Sequence, residues 1–243
     1  MSQIAALAPP RIVADMPVPG QNGVDIPVFE ELRAARKKGA RMAVAQLGQS
    51  LDGRIATPTG HSHFVNGPEA LTFLHRLRAA VDAVVVGAGT ALADDPQLTV
   101  RRCEGSHPAR VLIDLRRRAG GRLKMLCDDG VRRLVFGAAH DDDPAGVEVI
   151  EAEAPLGPHD ILSALEAKGL RTVLVEGGAR TVADFVSAGA LDRICIAVAP
   201  LIIGSGPIGL CLPPIERLDS AIRPRTAVSM MEDGDVLFDC ALR

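Results

Sequence analysis

Short apolar runs alternate along this chain with longer stretches in which apolar residues recur every three or four positions, and the alternation begins only after Phe29. Arg41 to Leu47 and Ala83 to Val86 read as strands, as do residues 110–114, 133–136, 147–150, 171–175 and 192–199. Residues 29–38, Pro68 to Ala80, 159–168 and 179–188 carry helical spacing. The first of these closes at Gly39, and the second opens on a proline, which suits a first helical turn. The alternation of strand and helix predicts a largely parallel sheet covered on both faces. The last segment differs: Thr226 to Met231 and Val236 to Leu242 flank Glu232-Asp233-Gly234-Asp235, which predicts two antiparallel strands joined by a turn. The expected class is therefore α/β, with a mostly parallel central sheet, flanking helices and a C-terminal antiparallel hairpin.

Residues 1–28 contain Pro9, Pro10, Pro17, Pro19 and Pro27 with little periodicity and read as an extended arm. With the short helix they make up residues 1–40. Residues 41–243 show no repeat, low-complexity tract or linker and read as one domain.

Of the 243 residues 47% are hydrophobic, mainly Ala, Val, Leu and Ile, with six Phe and no Trp or Tyr. Packing therefore rests on aliphatic side chains, and a stacking platform for single-stranded nucleic acid is not expected. A net charge of −3 argues against a nucleic acid as the main partner. Cys103, Cys127, Cys195, Cys211 and Cys240 are scattered and odd in number, which fits neither a zinc ribbon nor a disulfide framework and points to a reducing cytoplasm. No apolar run approaches the ~18 residues that span a bilayer, and no export signal is visible.

Three clusters follow predicted strands. Val173-Leu174-Val175-Glu176-Gly177-Gly178 ends a strand on two glycines where a helix begins, either a phosphate cradle or a tight turn. Gly87 to Arg101, including Thr90, Asp94, Asp95, Leu98 and Arg101, is either a ligand segment or a solvated turn fixed by Asp95-Pro96. Leu47-Gly48-Gln49-Ser50-Leu51-Asp52-Gly53-Arg54, followed by Gly60-His61-Ser62-His63-Phe64, reads as a long polar loop of the kind that carries ligand contacts. The His61/His63 pair and the His140 to Asp143 turn read better as polar surface than as metal sites, and no metal is expected.

In order and spacing these clusters resemble the reductase half of the bifunctional riboflavin biosynthesis deaminase/reductase. The resemblance runs from about Arg41 to the C-terminus and includes SLDGR, GxxTxxADDPxLTVR, VEGG and the Ala199-Pro200 to Gly204-Ser205 segment. It implies a dihydrofolate-reductase-like fold, a cytoplasmic homodimer, and NADPH-dependent reduction of the ribosyl side chain of a 5-phosphoribosylamino pyrimidine to ribityl. The zinc motifs of the deaminase half, HxE and PCxxC, are absent, so a reductase without deaminase activity is expected.

By the same resemblance Ser62, Arg78, Leu98, Arg101 and Glu176 contact substrate. Gly48, Phe64, Thr90, Asp94, Gly177, Gly178, Ala179, Arg180 and Thr181 meet NADPH, and Asp94 and Glu176 serve catalysis. Arg78 and Arg101 suit a sugar phosphate, because a guanidinium matches phosphate oxygens in a forked geometry. Residues 110–114 read as a strand, so Arg116 falls just beyond its carboxyl end and is either the reader of the cofactor 2′-phosphate, with Arg117 and Arg118 in reserve, or a solvated turn residue. The chain departs from the family pattern at Phe64, where Trp is common, at Gln46, where Lys is frequent, and at Leu115, where Ser often touches the cofactor. Alternative readings are a reductase of dihydrofolate or another pterin, and a nucleotide-binding regulator without catalysis.

Overall fold

The aliphatic runs pair into a nine-stranded sheet among the described residues, in the order β5-β4-β3-β2-β6-β1-β7-β9-β8. The computed structural model describes residues 26–62 and 65–243. The strands are β1 (Met42–Ser50), β2 (Ala83–Gly87), β3 (Ala109–Ile113), β4 (Arg133–Phe136), β5 (Val147–Ile150), β6 (Thr172–Val175), β7 (Arg193–Ala199), β8 (Arg225–Met230) and β9 (Val236–Ala241). The first seven run parallel to their neighbours, and β9 pairs antiparallel with both β7 and β8. The parallel sheet and the closing hairpin are thus as the sequence pattern predicts.

Successive strand residues face opposite sides, so the sheet has two cores. Val44, Val84, Val86 and Leu174 pack with α1 (Pro27–Lys38), α2 (Pro68–Ala80) and Ala91 of α3 (Ala88–Asp94). Ala43, Ala45, Val85, Val173 and Val175 pack with α4 (Pro158–Ala167) and α5 (Ala179–Ser187). Helix α1 buries Val28, Phe29, Leu32 and Ala35, and its Phe29 ring meets Phe73 of α2 edge-on at 5.5 Å. The segment grouped with the N-terminal arm in the sequence therefore packs into the same core as the sheet. The rest of that arm, residues 1–25, lies outside the described residues.

Two elements differ from the sequence reading. Gly48, Gln49 and Ser50, read there as the start of a loop, continue β1 and pair with Ala197, Val198 and Ala199 of β7. Residues 88–94, read as part of a ligand segment or turn, form α3. Four of the seven residues there, counting Leu92, are alanine or leucine, the best helix formers, and they outweigh Gly89 in a helix too short to show a periodic pattern.

Candidate active site

β2 and β6 are parallel neighbours, and each ends in a glycine turn that opens a helix. The two turns interlock. Thr90 Oγ1 accepts a hydrogen bond from the Gly178 N–H at 2.5 Å. A Cβ at Gly177 would sit 2.5 Å from Thr90 Cγ2, and one at Gly87 would sit 2.5 Å from Thr181 Oγ1. Gly177 also has φ +81°, a left-handed conformation that side chains rarely adopt. Gly178 is the N-cap of α5, and no side chain caps that first turn. The N–H groups of Ala179, Arg180 and Thr181 therefore have no partner within the helix, and the positive end of its dipole stands at the carboxyl end of β6. Asp94 closes α3 one turn beyond Thr90 and is exposed.

Glu176 follows β6 and is 5% exposed; Arg78, near the end of α2, is 7% exposed. The structure joins these two expected substrate residues to each other. Arg78 Nε donates to Glu176 Oε1 at 2.7 Å, Nη2 donates to Oε2 at 2.6 Å, and Nη1 donates to the Thr99 carbonyl at 3.1 Å. Burial opposes the charge on Arg78, but the Glu176 carboxylate more than offsets it and raises the guanidinium pKa above its ordinary value. Each Glu176 oxygen keeps a second lone pair, and two of the five guanidinium N–H groups remain free of these bonds.

Arg101 is exposed, with Nη1 donating to Gln97 Oε1 at 2.8 Å and Thr99 Oγ1 at 2.7 Å. Its backbone N–H donates to His75 Nδ1 at 2.8 Å. Burial, then the charges of Arg78, Arg101 and Arg102, lower the His75 pKa to about 4, so the ring is a neutral acceptor at pH 7. Gln97 and Thr99 also line a cleft of about 220 Å³ with Arg110, Lys124, Cys127 and Asp129. A larger cleft of about 270 Å³, lined by Asp82, Pro108 and Leu170, lies at the amino ends of β2, β3 and β6, away from the glycine turns.

Leu98 is 2% exposed with φ +54°, and its side chain belongs to the core of the α1 and α2 face. Its backbone, not its side chain, is what a ligand could meet. Asp95 caps α3 and accepts from the Lys124 backbone N–H at 2.8 Å, which gives the turn beside Pro96 a structural function. Ser62 is half-buried, whereas Phe64 and His63 lie outside the described residues.

Beyond the carboxyl end of β3, Arg116 is exposed. Arg117 is held by Asp143, which removes it as a free reader of a ligand and also accounts for one carboxylate of the His140 to Asp143 turn. Among the described residues no group of three His, Cys, Asp or Glu gathers as a metal site would. Asp52, in the SLDGR segment, is a hub: Ser50 Oγ donates to it at 2.6 Å, and the Ile203 and Gly204 N–H groups donate at 3.0 and 2.7 Å. These bonds, Ser50 first, hold its pKa at about 2 and tie the segment to the loop after β7.

Residues 41–219 match the RibD C-terminal domain family. The chain belongs to that family. It is 32% identical over 172 residues to the 2,5-diamino-6-ribosylamino-4(3H)-pyrimidinone 5′-phosphate reductase of Methanothermobacter thermautotrophicus, covering 66% of this chain and 78% of that one. It is 36% identical over 167 residues to the riboflavin biosynthesis protein RibD of Mycobacterium tuberculosis, covering 65% of this chain but only 42% of that relative. Among solved structures, RibD of Acinetobacter baumannii aligns with a TM-score of 0.75 at 26% identity, covering 86% of this chain and 60% of the other.

In this RibD C-terminal domain two residues at the site escaped the sequence reading. Asn66 lies against Gly48, and Asp235 of the β8–β9 turn holds Asn66 in place. The acidic turn was visible in the sequence, but its partner lies 169 residues away.

Proposed function

We propose that the chain is an NADPH-dependent reductase that converts the ribosyl side chain of a 5-phosphoribosylamino pyrimidine to ribityl. The interlocked turns of β2 and β6 carry this reading, because they set the uncapped start of α5 beside the buried Glu176. The free N–H groups of residues 179–181 suit a pyrophosphate, and the glycines at 177 and 178 keep side chains away from it. Arg116 lies past β3, one strand beyond β2, where the 2′-phosphate of an adenosine ribose would meet it.

Bound NADPH supplies the hydride for reduction at the ribose carbon. Glu176 accepts from pyrimidine N–H groups with the lone pairs that Arg78 leaves open. The exposed guanidinium of Arg101 takes the sugar phosphate, with the two remaining N–H groups of Arg78 directed to the same ligand. Ser62 adds a hydroxyl to the sugar side, and Asp94 and Thr90 border the cofactor along α3. Holding the two reactants in register is the main contribution of the protein.

The reading includes a homodimer in the cytoplasm. Exposed Leu51, Ile202 and Ile208, gathered where the SLDGR segment meets the loop after β7, support an interface, and among the described residues no helix is long and apolar enough to cross a membrane. Kinetics test the assignment of the phosphate. Arg101→Ala should raise KM for the phosphorylated pyrimidine at least tenfold while leaving KM for NADPH within twofold. Equal turnover of phosphorylated and dephosphorylated substrate by the unaltered enzyme would overturn it.

A further inference from the structure

Asn66 stands between α2 and the carboxyl ends of β1 and β7, and its carboxamide has one orientation. Nδ2 donates to the Ala197 carbonyl and to Asp235 Oδ2, both at 3.1 Å, so both amide hydrogens are engaged. Asp235 is 2% exposed and also accepts from the Gly67 N–H at 2.9 Å. Its neighbour Asp233 accepts from the Glu69 N–H at 2.9 Å, and Glu69 Oε2 accepts from the Glu232 N–H at 2.6 Å. The hairpin turn thereby caps α2 and fixes the residue before it.

With both hydrogens held, Oδ1 faces β1. A Cβ on Gly48 would fall 1.9 Å from this oxygen, so the glycine is what allows the approach. Oδ1 accepts no hydrogen bond from a described residue, yet it is not among the buried polar atoms that lack a partner. It is an oriented acceptor open to a ligand.

The sheet order sets what that ligand is. From β3 the order continues β2, β6, β1, β7. Adjacent strands lie about 4.8 Å apart, so the gap between β1 and β7 is about 10 Å from the gap between β2 and β6. A dinucleotide with its 2′-phosphate past β3 and its pyrophosphate on the turns of β2 and β6 must place its nicotinamide riboside over β1 and β7. The donor that a nicotinamide offers there is its carboxamide NH2.

We infer that Asn66 binds the nicotinamide carboxamide, its Oδ1 accepting from the NH2 group, and that Asp235 is the positioning residue that holds this oxygen outward. The inference rests on the reading of the chain as a nicotinamide-dependent reductase and adds a contact that discriminates the ring substituent.

Calorimetric titration tests it without turnover, using NADP⁺ and its 3-acetylpyridine analogue, in which a methyl replaces the carboxamide NH2. The unaltered protein should bind NADP⁺ roughly five- to tenfold more tightly than the analogue, the range of one hydrogen bond. Asn66→Leu should bring the two affinities within twofold of each other. Asn66→Ala should do the same and serves if the leucine variant does not fold. Asp235→Ala should shrink the ratio at least twofold, a change that loss of stability alone would not produce. Equal affinities in the unaltered protein, or an undiminished ratio in a folded Asn66 variant, would overturn the contact. An undiminished ratio in Asp235→Ala would overturn the positioning role. Failure of the unaltered protein to bind NADP⁺ at all would sink the reductase reading itself, and the contact with it.

Discussion

Arg78 and Glu176 form a two-pronged buried ion pair that joins the end of α2 to the end of β6, 98 residues apart in the chain. The pair fixes the guanidinium and the carboxylate beside each other at the proposed substrate site. Removing one partner strands a buried charge, which costs about 3–5 kcal/mol. Arg78→Met is expected to lower stability in urea by that order and to abolish turnover. Arg78→Met combined with Glu176→Leu should recover part of the stability but no activity. Denaturant titrations beside steady-state rates check this; recovered activity in the double variant would contradict the role of the pair.

The contact between Thr90 and Gly178 predicts a linked loss. Thr90→Val removes the acceptor for the Gly178 N–H and should cost about 1 kcal/mol of stability together with a several-fold rise in KM for NADPH. Gly178→Val should be worse, since even a bare Cβ there lies 3.0 Å from Thr90 Oγ1. Unchanged KM for NADPH in both folded variants would remove the turn from the cofactor site.

His75 gives a pH dependence with a definite sign. Its folded pKa of about 4 lies below the ordinary 6.5, so the unfolded chain takes up the proton first. Stability contributed by the neutral ring is complete above pH 6.5, declines as pH falls toward 4, and loses nothing further below that. The total is up to about 3 kcal/mol. His75→Gln should flatten the slope between pH 6.5 and 4. An equal slope in both proteins, read from urea midpoints, would place the acid sensitivity elsewhere.

Arg116 and Arg117 differ in what holds them. Arg117 is held by Asp143, while Arg116 is exposed past β3. Arg116→Ala is expected to raise KM for NADPH about tenfold and leave KM for NADH nearly unchanged, as loss of a charge-assisted bond requires. Arg117→Ala should alter stability more than cofactor preference. Matching kinetic effects on both cofactors would leave the 2′-phosphate without this partner.

Most of this architecture is legible in the chain, because buried parallel strands are continuous aliphatic runs and the helices carry proline and glycine at their ends. Residues 133–136 and 147–150 are strands with the predicted bounds, and α2 spans Pro68–Ala80 as its pattern says. Helix α3 was hidden because seven residues make too few turns to show a period. The end of β1 was hidden because Gly48-Gln49-Ser50 has loop composition and becomes strand only through pairing with β7. At the site, the glycine turns and Glu176 are marked locally by strand-glycine-helix punctuation. The engagement of Arg78 with Glu176 and of Asn66 with Asp235 is set by tertiary packing, which no local pattern encodes.

The central claim is tested most directly by following NADPH absorbance with the purified protein, offered either the 5-phosphoribosylamino pyrimidine or dihydrofolate. The account predicts steady NADPH oxidation with the phosphorylated pyrimidine, one ribityl product formed per NADPH consumed, and none with dihydrofolate. Oxidation with dihydrofolate alone, or with neither compound, would contradict it.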